Sequence, residues 1–221
     1  MNHKKLKVTG ILFDLDGTIV DSRKAYLEAA RTAFTAFGKE SIDSATALEI
    51  PKRLEQGLSI VDFVGGNSKD FLDVYLKTYY SVTKNLTRPI QNAEETLEAL
   101  SRKVKLALIT MRFVSKAAIV EELTQFNLVR FFTYVATATD TSEPKPSPEA
   151  LISAVKALNV NMCDCVIVGD SVVDVKAGKS AGAQTVAVLS GLYSKEELAR
   201  ESPDLILKDI SELPVFLDFF G

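Results

Sequence analysis

The sequence predicts an α/β protein: a doubly wound (Rossmann-like) parallel sheet carrying an inserted all-helical segment. Three observations lead there. Short, nearly continuous apolar runs recur along the chain and end in polar or Gly-rich turns, the pattern of strands buried on both faces. From residue 92 onward these runs alternate with helical stretches, the rhythm of a parallel sheet with crossover helices. Between residues 21 and 87 the alternation stops and no convincing strand appears.

The first strand is expected at 8–13. The insert follows at once, with an apolar stripe at 26, 27, 30, 33, 34 and 37 predicting a helix over 24–37 that ends at Gly38. Shorter helices suit 45–54 and 58–64, with Gly65-Gly66 as a break, and a second amphipathic stripe predicts a helix over 71–82. The aromatic residues Phe34, Phe37, Phe71, Tyr75 and Tyr79 fall at helical spacing and read as core. The remaining strands are expected at 105–110, 132–137, 165–169, 185–189 and 204–207. Asn92 with Glu95, Ser194 with Glu197 and Asp209 with Glu212 each place a cap and an acid three apart, and Ser147-Pro148-Glu149 places Pro at a first helical position. Residues 1–20 and 88–221 then form the α/β core domain, and 21–87 a helical domain inserted into it.

With 221 residues the chain can bury about 70% of its unfolded surface and needs no staple to fold. Lys plus Arg number 26 and Asp plus Glu 29, a net charge of −3, which gives no electrostatic case for nucleic acid or an anionic membrane. The single histidine, His3, cannot build a three-histidine zinc site and is poorly placed to serve a Ser-His-Asp triad. Cys163 and Cys165 form no CxxC pair and read as buried or half-buried thiols in a reducing cytosol. The start, MNHKKLKV, runs into ILFDLD and does not read as a signal peptide, and no apolar run is long enough to span a bilayer. A cytoplasmic enzyme built on carboxylates, hydroxyls, Lys or Arg and a hard cation is the expectation.

Open α/β sheets bind ligands at the carboxyl ends of their strands. The first strand ends in Asp14-Leu15-Asp16-Gly17-Thr18, the 105–110 strand in Thr110-Met111-Arg112, and the 165–169 strand leads into Asp170-Ser171 with Asp174 four residues on. Lys145 lies in a loop stiffened by Pro144 and Pro146. Two carboxylates as close as Asp14 and Asp16 repel unless a cation lies between them or one holds a proton.

In this order the motifs resemble the haloacid dehalogenase-like superfamily of hydrolases, most of which are phosphatases. DLDGT matches its first motif, Thr110 its second, Lys145 in KPSPE its third and GDSVVD its fourth. The insert looks like the cap of phosphoglycolate phosphatase-like and β-phosphoglucomutase-like members. The resemblance implies Asp14 as a nucleophile that forms an aspartyl-phosphate and Asp16 as general acid and base. It implies Mg2+ held by the Asp14 and Asp170 carboxylates and the Asp16 carbonyl, with Asp174 in support, and the phosphoryl group bound by Thr110 and Lys145. The expected partner is a small phosphorylated metabolite, with no nucleic acid or membrane, for a monomer or homodimer. A phosphomutase, or a phosphate-ligand-binding protein without turnover, is the alternative. Met111 departs from the small polar residue that many relatives carry. Arg112 is a candidate to supply charge in compensation, although taken alone it reads as an exposed loop residue. Arg53 is the candidate specificity residue of the insert, against a plain solvated helix end.

Overall fold

The computed structural model describes residues 5–39 and 41–219, so His3 lies outside the described residues. In chain order the elements are β1 (Leu6–Val8), β2 (Gly10–Phe13), β3 (Val20–Asp21), α1 (Arg23–Ala36), α2 (Ser44–Glu55), α3 (Val61–Val64), α4 (Ser68–Leu86) and β4 (Arg88–Pro89). There follow α5 (Ala93–Ser101), β5 (Lys105–Ile109), α6 (Lys116–Gln125), β6 (Phe132–Ala136), α7 (Glu149–Leu158) and β7 (Cys165–Gly169). The last are α8 (Val172–Ala181), β8 (Gln184–Val188), α9 (Lys195–Arg200), β9 (Leu205–Leu207), α10 (Leu213–Phe216) and β10 (Leu217–Phe219). The chain divides into two compact units, residues 1–20 with 89–221, and residues 21–88.

In the first unit six strands pair in the order β6-β5-β2-β7-β8-β9, all parallel. Counting from β2, this is the 3-2-1-4-5-6 order of doubly wound sheets, with the reversal of direction between β2 and β7. Successive side chains on a strand face opposite sides, and two cores result. Ile11, Phe13, Leu106, Leu108, Val166 and Val168 belong to one, with Leu97 of α5 and Ile119 and Leu123 of α6. Leu12, Ala107, Ile109 and Ile167 belong to the other, with Leu151 and Ala154 of α7 and Ala177 of α8. The helical unit is held by α1 against α4. Ala25, Ala29, Ala30 and Ala33 are fully buried, and Tyr26 stacks on Tyr79 at 4.9 Å while Phe34 meets Phe71 edge-on at 4.8 Å.

Several local expectations are corrected. The 8–13 run is two strands: β1 leaves the main sheet and pairs in parallel with β10, because Thr9 donates from its amide to Asp164 O and breaks the ladder. The helix expected at 58–64 is only Val61–Val64, since Leu58 and Val61 are exposed and have no apolar face to bury. Phe37 lies past the end of α1 and is exposed, unlike its four aromatic companions. Asn92 adopts a left-handed backbone and makes no side-chain cap. Pro148 is the residue before α7 rather than its first. Glu212 accepts from Lys208 N instead of closing a box on Asp209, and a 3-10 turn follows. Cys163 is exposed, while Cys165 is buried and its thiol is pushed up to about 12, first by burial and then by the Asp164 charge. Ser194 and Glu197 do form the expected capping box. Among the described residues, no helix is long and apolar enough to cross a membrane.

Candidate active site

The crevice at the switch point is framed by the residues that follow β2 and β7. Phe13 pairs with both Leu108 and Val168, so β5, β2 and β7 end level with one another. Asp14 continues β2 by donating its amide to Val168 O at 2.9 Å, and Thr110 continues β5 by donating to Ala136 O at 3.0 Å. The chain then reverses, with the amides of Thr18, Ile19 and Val20 all turned to Leu15 O. Gly17 takes φ +79° in this turn, and a Cβ on it would lie 2.5 Å from an Asp170 oxygen. The turn therefore needs glycine twice over, for its backbone and for the approach.

Lys145 sits at the centre. Its ammonium donates to Asp14 Oδ1 and Asp174 Oδ1, both at 2.6 Å, and to Ile109 O at 3.0 Å. Those three bonds use every donor a lysine has. Asp174 is set by a capping box at the start of α8, in which Ser171 donates from both its amide and its hydroxyl to Asp174 Oδ2. Asp170 accepts from Leu192 N at 3.2 Å and from Thr18 Oγ1 at 3.4 Å. Thr110 is buried, and its Oγ1 accepts the Arg112 amide, which leaves its own hydroxyl proton to donate elsewhere.

Asp14, Asp170 and Asp174 form a buried group in which one oxygen from each lies within 4.8 Å of the others. Three carboxylates face the one ammonium of Lys145, a surplus of two negative charges. Burial, with the neighbouring Asp174 charge adding and Lys145 opposing, pushes Asp14 up to about 7. Burial, then the charges of Asp14 and Asp174, raises Asp170 well above the usual carboxylate range. Burial opposes the Lys145 ammonium, but its two carboxylate partners prevail and hold it above the ordinary lysine value. An all-oxygen donor set with two uncompensated charges fits a hard divalent cation such as Mg2+. The Asp16 carboxylate is not part of that group.

Asp16 is held instead by Arg112. The guanidinium Nε and Nη2 reach the two oxygens of Asp16 at 2.8 and 2.6 Å, and Nη1 reaches Glu122 Oε2 at 2.5 Å. The reading of Arg112 as an exposed loop residue is thus corrected: its side chain is 4% exposed and joins the acid of the first motif. Met111 packs with Val172, Val173 and Tyr193, an apolar placement that accounts for its character. Arg53 belongs to the other unit, where it donates to Ser59 O at 2.7 Å, lies over the Phe63 ring at 4.6 Å and faces Glu49 at 3.5 Å. It is a tethered residue rather than a free helix end.

The pattern shared by the haloacid dehalogenase-like hydrolases matches residues 11–188, the span that contains Asp14, Asp16, Thr110, Arg112, Lys145, Asp170 and Asp174. This chain belongs to the haloacid dehalogenase-like hydrolases. It is 30% identical over 216 residues to a phosphoglycolate phosphatase of Pseudomonas syringae pv. tomato, an alignment covering 92% of this chain and 77% of that protein. It is 26% identical over 218 residues to the pyrophosphatase PpaX of Halalkalibacterium halodurans, with 98% of each chain covered. A haloacid dehalogenase-like family hydrolase from Streptococcus pneumoniae superposes with a TM-score of 0.78 at 22% identity, covering 95% of this chain and 98% of that one.

Two features of this hydrolase escape sequence reading. Glu122 was visible only as an acid on the Ile119/Leu123 face of α6, where an apolar residue belongs. The loop after β8 carries the other feature: Ser190 donates to Gly17 O at 2.7 Å, and a Cβ on Gly191 would overlap the Asp170 carboxylate. Gly191→Ala is therefore expected to displace Asp170. Overpacking of this kind costs about 1–3 kcal/mol, and the rise in Tm on adding Mg2+ should shrink or vanish. An undiminished Mg2+ shift in that variant would show that Gly191 is spectator backbone.

Proposed function

We propose that this hydrolase is a phosphatase that passes the phosphoryl group of a small phosphomonoester to Asp14 and then to water. The observation that carries the reading is the placement of Asp14 at the switch point, its Oδ1 on the Lys145 ammonium, with Asp16 two residues on and held at both oxygens. Asp14 has one oxygen on Lys145 and the other available for attack on phosphorus. Attack forms the Asp14–phosphorus bond as the bond to the leaving oxygen breaks, and Asp16 gives that oxygen a proton. Water then attacks the same phosphorus, Asp16 takes its proton, and phosphate departs with the Asp14 carboxylate restored. Covalent catalysis divides one hard transfer into two easier ones.

The Thr110 hydroxyl is suited to a phosphoryl oxygen, and Lys145 would meet another by giving up one of its three bonds, such as that to Ile109 O. Asp14, Asp170 and Asp174, with the Asp16 carbonyl, would hold Mg2+, which supplies positive charge to a site that otherwise repels a phosphate dianion. At 4 Å and an effective dielectric of 20, each unit pair of like charges costs about 4 kcal/mol. The names of the relatives favour a compact anionic substrate, either a monoester such as 2-phosphoglycolate or the anhydride pyrophosphate, from which the same transfer to Asp14 would release phosphate. Substrate selection falls to the helical unit acting as a cap, with Arg53 as its candidate residue.

The experiment is phosphate release from a panel of phosphorylated metabolites that includes those two. We expect turnover with Mg2+, loss of it in EDTA, recovery on adding Mg2+ back, and poor support by Ca2+, whose looser coordination misplaces the nucleophile. Full activity in metal-free buffer refutes the cation, and silence across the whole panel refutes the phosphatase.

A further inference from the structure

Glu122 is a buried carboxylate that the catalytic scheme leaves without a task. It projects from the inner face of α6 between Ile119 and Leu123, which pack into the core under β5 and β6. Its side chain is 6% exposed, and its Oε2 meets one corner of the Arg112 guanidinium. The opposite edge of that guanidinium holds both oxygens of Asp16. The backbone of Arg112 is pinned as well, since its amide donates to Thr110 Oγ1 and its carbonyl accepts from Ala138 N.

We propose that Glu122 is a positioning residue for the reaction, acting through Arg112 to fix the Asp16 carboxylate beside the leaving oxygen. The inference rests on the reading of Asp16 given above as the group that exchanges a proton with that oxygen. A guanidinium is planar and rigid, so fixing one corner sets the direction of the far edge. Helix α6 is anchored in the core, and Glu122 carries that rigidity into a loop that would otherwise leave a long side chain free to turn. Each oxygen of Asp16 accepts one bond from Arg112 and keeps a further direction in which a proton can be carried and passed to the leaving oxygen. The charge of Glu122 also offsets that of Arg112. Without it the Nη1 corner of the guanidinium would lose its carboxylate and could turn toward the incoming phosphate, pulling the far edge away from Asp16.

The test compares two substrates. p-Nitrophenolate departs readily without a proton, whereas an alkoxide needs one. In Glu122→Gln, kcat/KM on an alkyl phosphate that the wild type hydrolyses should fall about 10–100-fold, part of the full worth of general acid catalysis. On p-nitrophenyl phosphate the same variant should lose at least about tenfold less, because proton donation contributes little there. Arg112→Lys keeps the charge but lacks the planar fork that meets both oxygens of Asp16 while reaching Glu122, so it should show the same selectivity; it carries the test if Glu122→Gln fails to fold. Asp16→Asn is the reference and should show the largest selectivity. Equal losses on both esters in Asp16→Asn overturn the assignment of Asp16 and this proposal with it. A selective loss in Asp16→Asn beside a uniform loss, or none, in the Glu122 and Arg112 variants overturns the role of Glu122 alone.

Discussion

Asp14→Asn folds as the wild type does and releases almost no phosphate. Removing a covalent nucleophile lowers turnover by about 10⁴-fold or more, and the amide oxygen of Asn can still accept from Lys145, so the loss belongs to chemistry and not to folding. Phosphate release, with mass spectrometry to exclude deamidation back to Asp, checks it; turnover within tenfold of wild type would end the aspartyl-phosphate reading. The same variant has a signature in stability. Asp14 is pushed from 3.8 up to about 7 in the folded chain, chiefly by burial. An acid raised on folding binds more protons folded than unfolded, so its contribution to stability declines as pH rises from about 4 to 7 and stays unfavourable above that. In EDTA the Tm of the wild type should fall across this window relative to that of Asp14→Asn, and parallel curves would contradict the buried-charge account.

Lys145→Met strikes stability and turnover together. It leaves the Asp14 and Asp174 carboxylates buried without their shared cation, and it removes the donor to Ile109 O. Breaking a buried pair by deleting one partner costs about 3–5 kcal/mol, so denaturant midpoints in EDTA should drop sharply, and Mg2+ should restore part of the loss by replacing positive charge in the cluster. If Lys145 serves the phosphoryl oxygens common to every substrate, as proposed above, turnover should fall by one factor on all esters, of order 10²–10³. Lys145→Arg should not rescue it, because a planar guanidinium cannot reproduce a compact ammonium with three acceptors around it. A factor that varies strongly from ester to ester would move Lys145 from the phosphoryl group to the rest of the substrate.

The strands were legible because runs such as CVIVG and TVAVL are too uniformly apolar for a one-sided sheet, and because each stops at a polar residue. Asp14, Thr110 and Asp170 lie at those stops, so the crevice could be located without coordinates. What escaped was whatever depends on a second element. Thr9 looks like one more residue of a continuous strand until Asp164 O takes its amide. Arg112 looks like loop surface until Glu122, ten residues on, and Asp16, ninety-six back, close around it. Asn92 spells a cap, yet its left-handed backbone makes no such bond. Local composition speaks for elements, and contacts between distant elements decide burial and partners.

The central place of β2 sets a timetable for biosynthesis. Its partners are β5 and β7, whose first paired residues are Lys105 and Cys165. A ribosome adds about 5–20 residues per second, so the strand that bears Asp14 emerges with both edges bare and waits on the order of ten seconds for its second neighbour. Until β5 emerges it has no ladder on either side, and until β7 emerges one edge stays bare, the kind of edge that invites pairing with another nascent chain. The helical segment, which is complete by residue 88, can form during that interval. Demand for chaperones should therefore peak while residues 90 to 165 are being made, and a translational pause placed in that stretch should lower the yield of soluble protein more than one placed after β7.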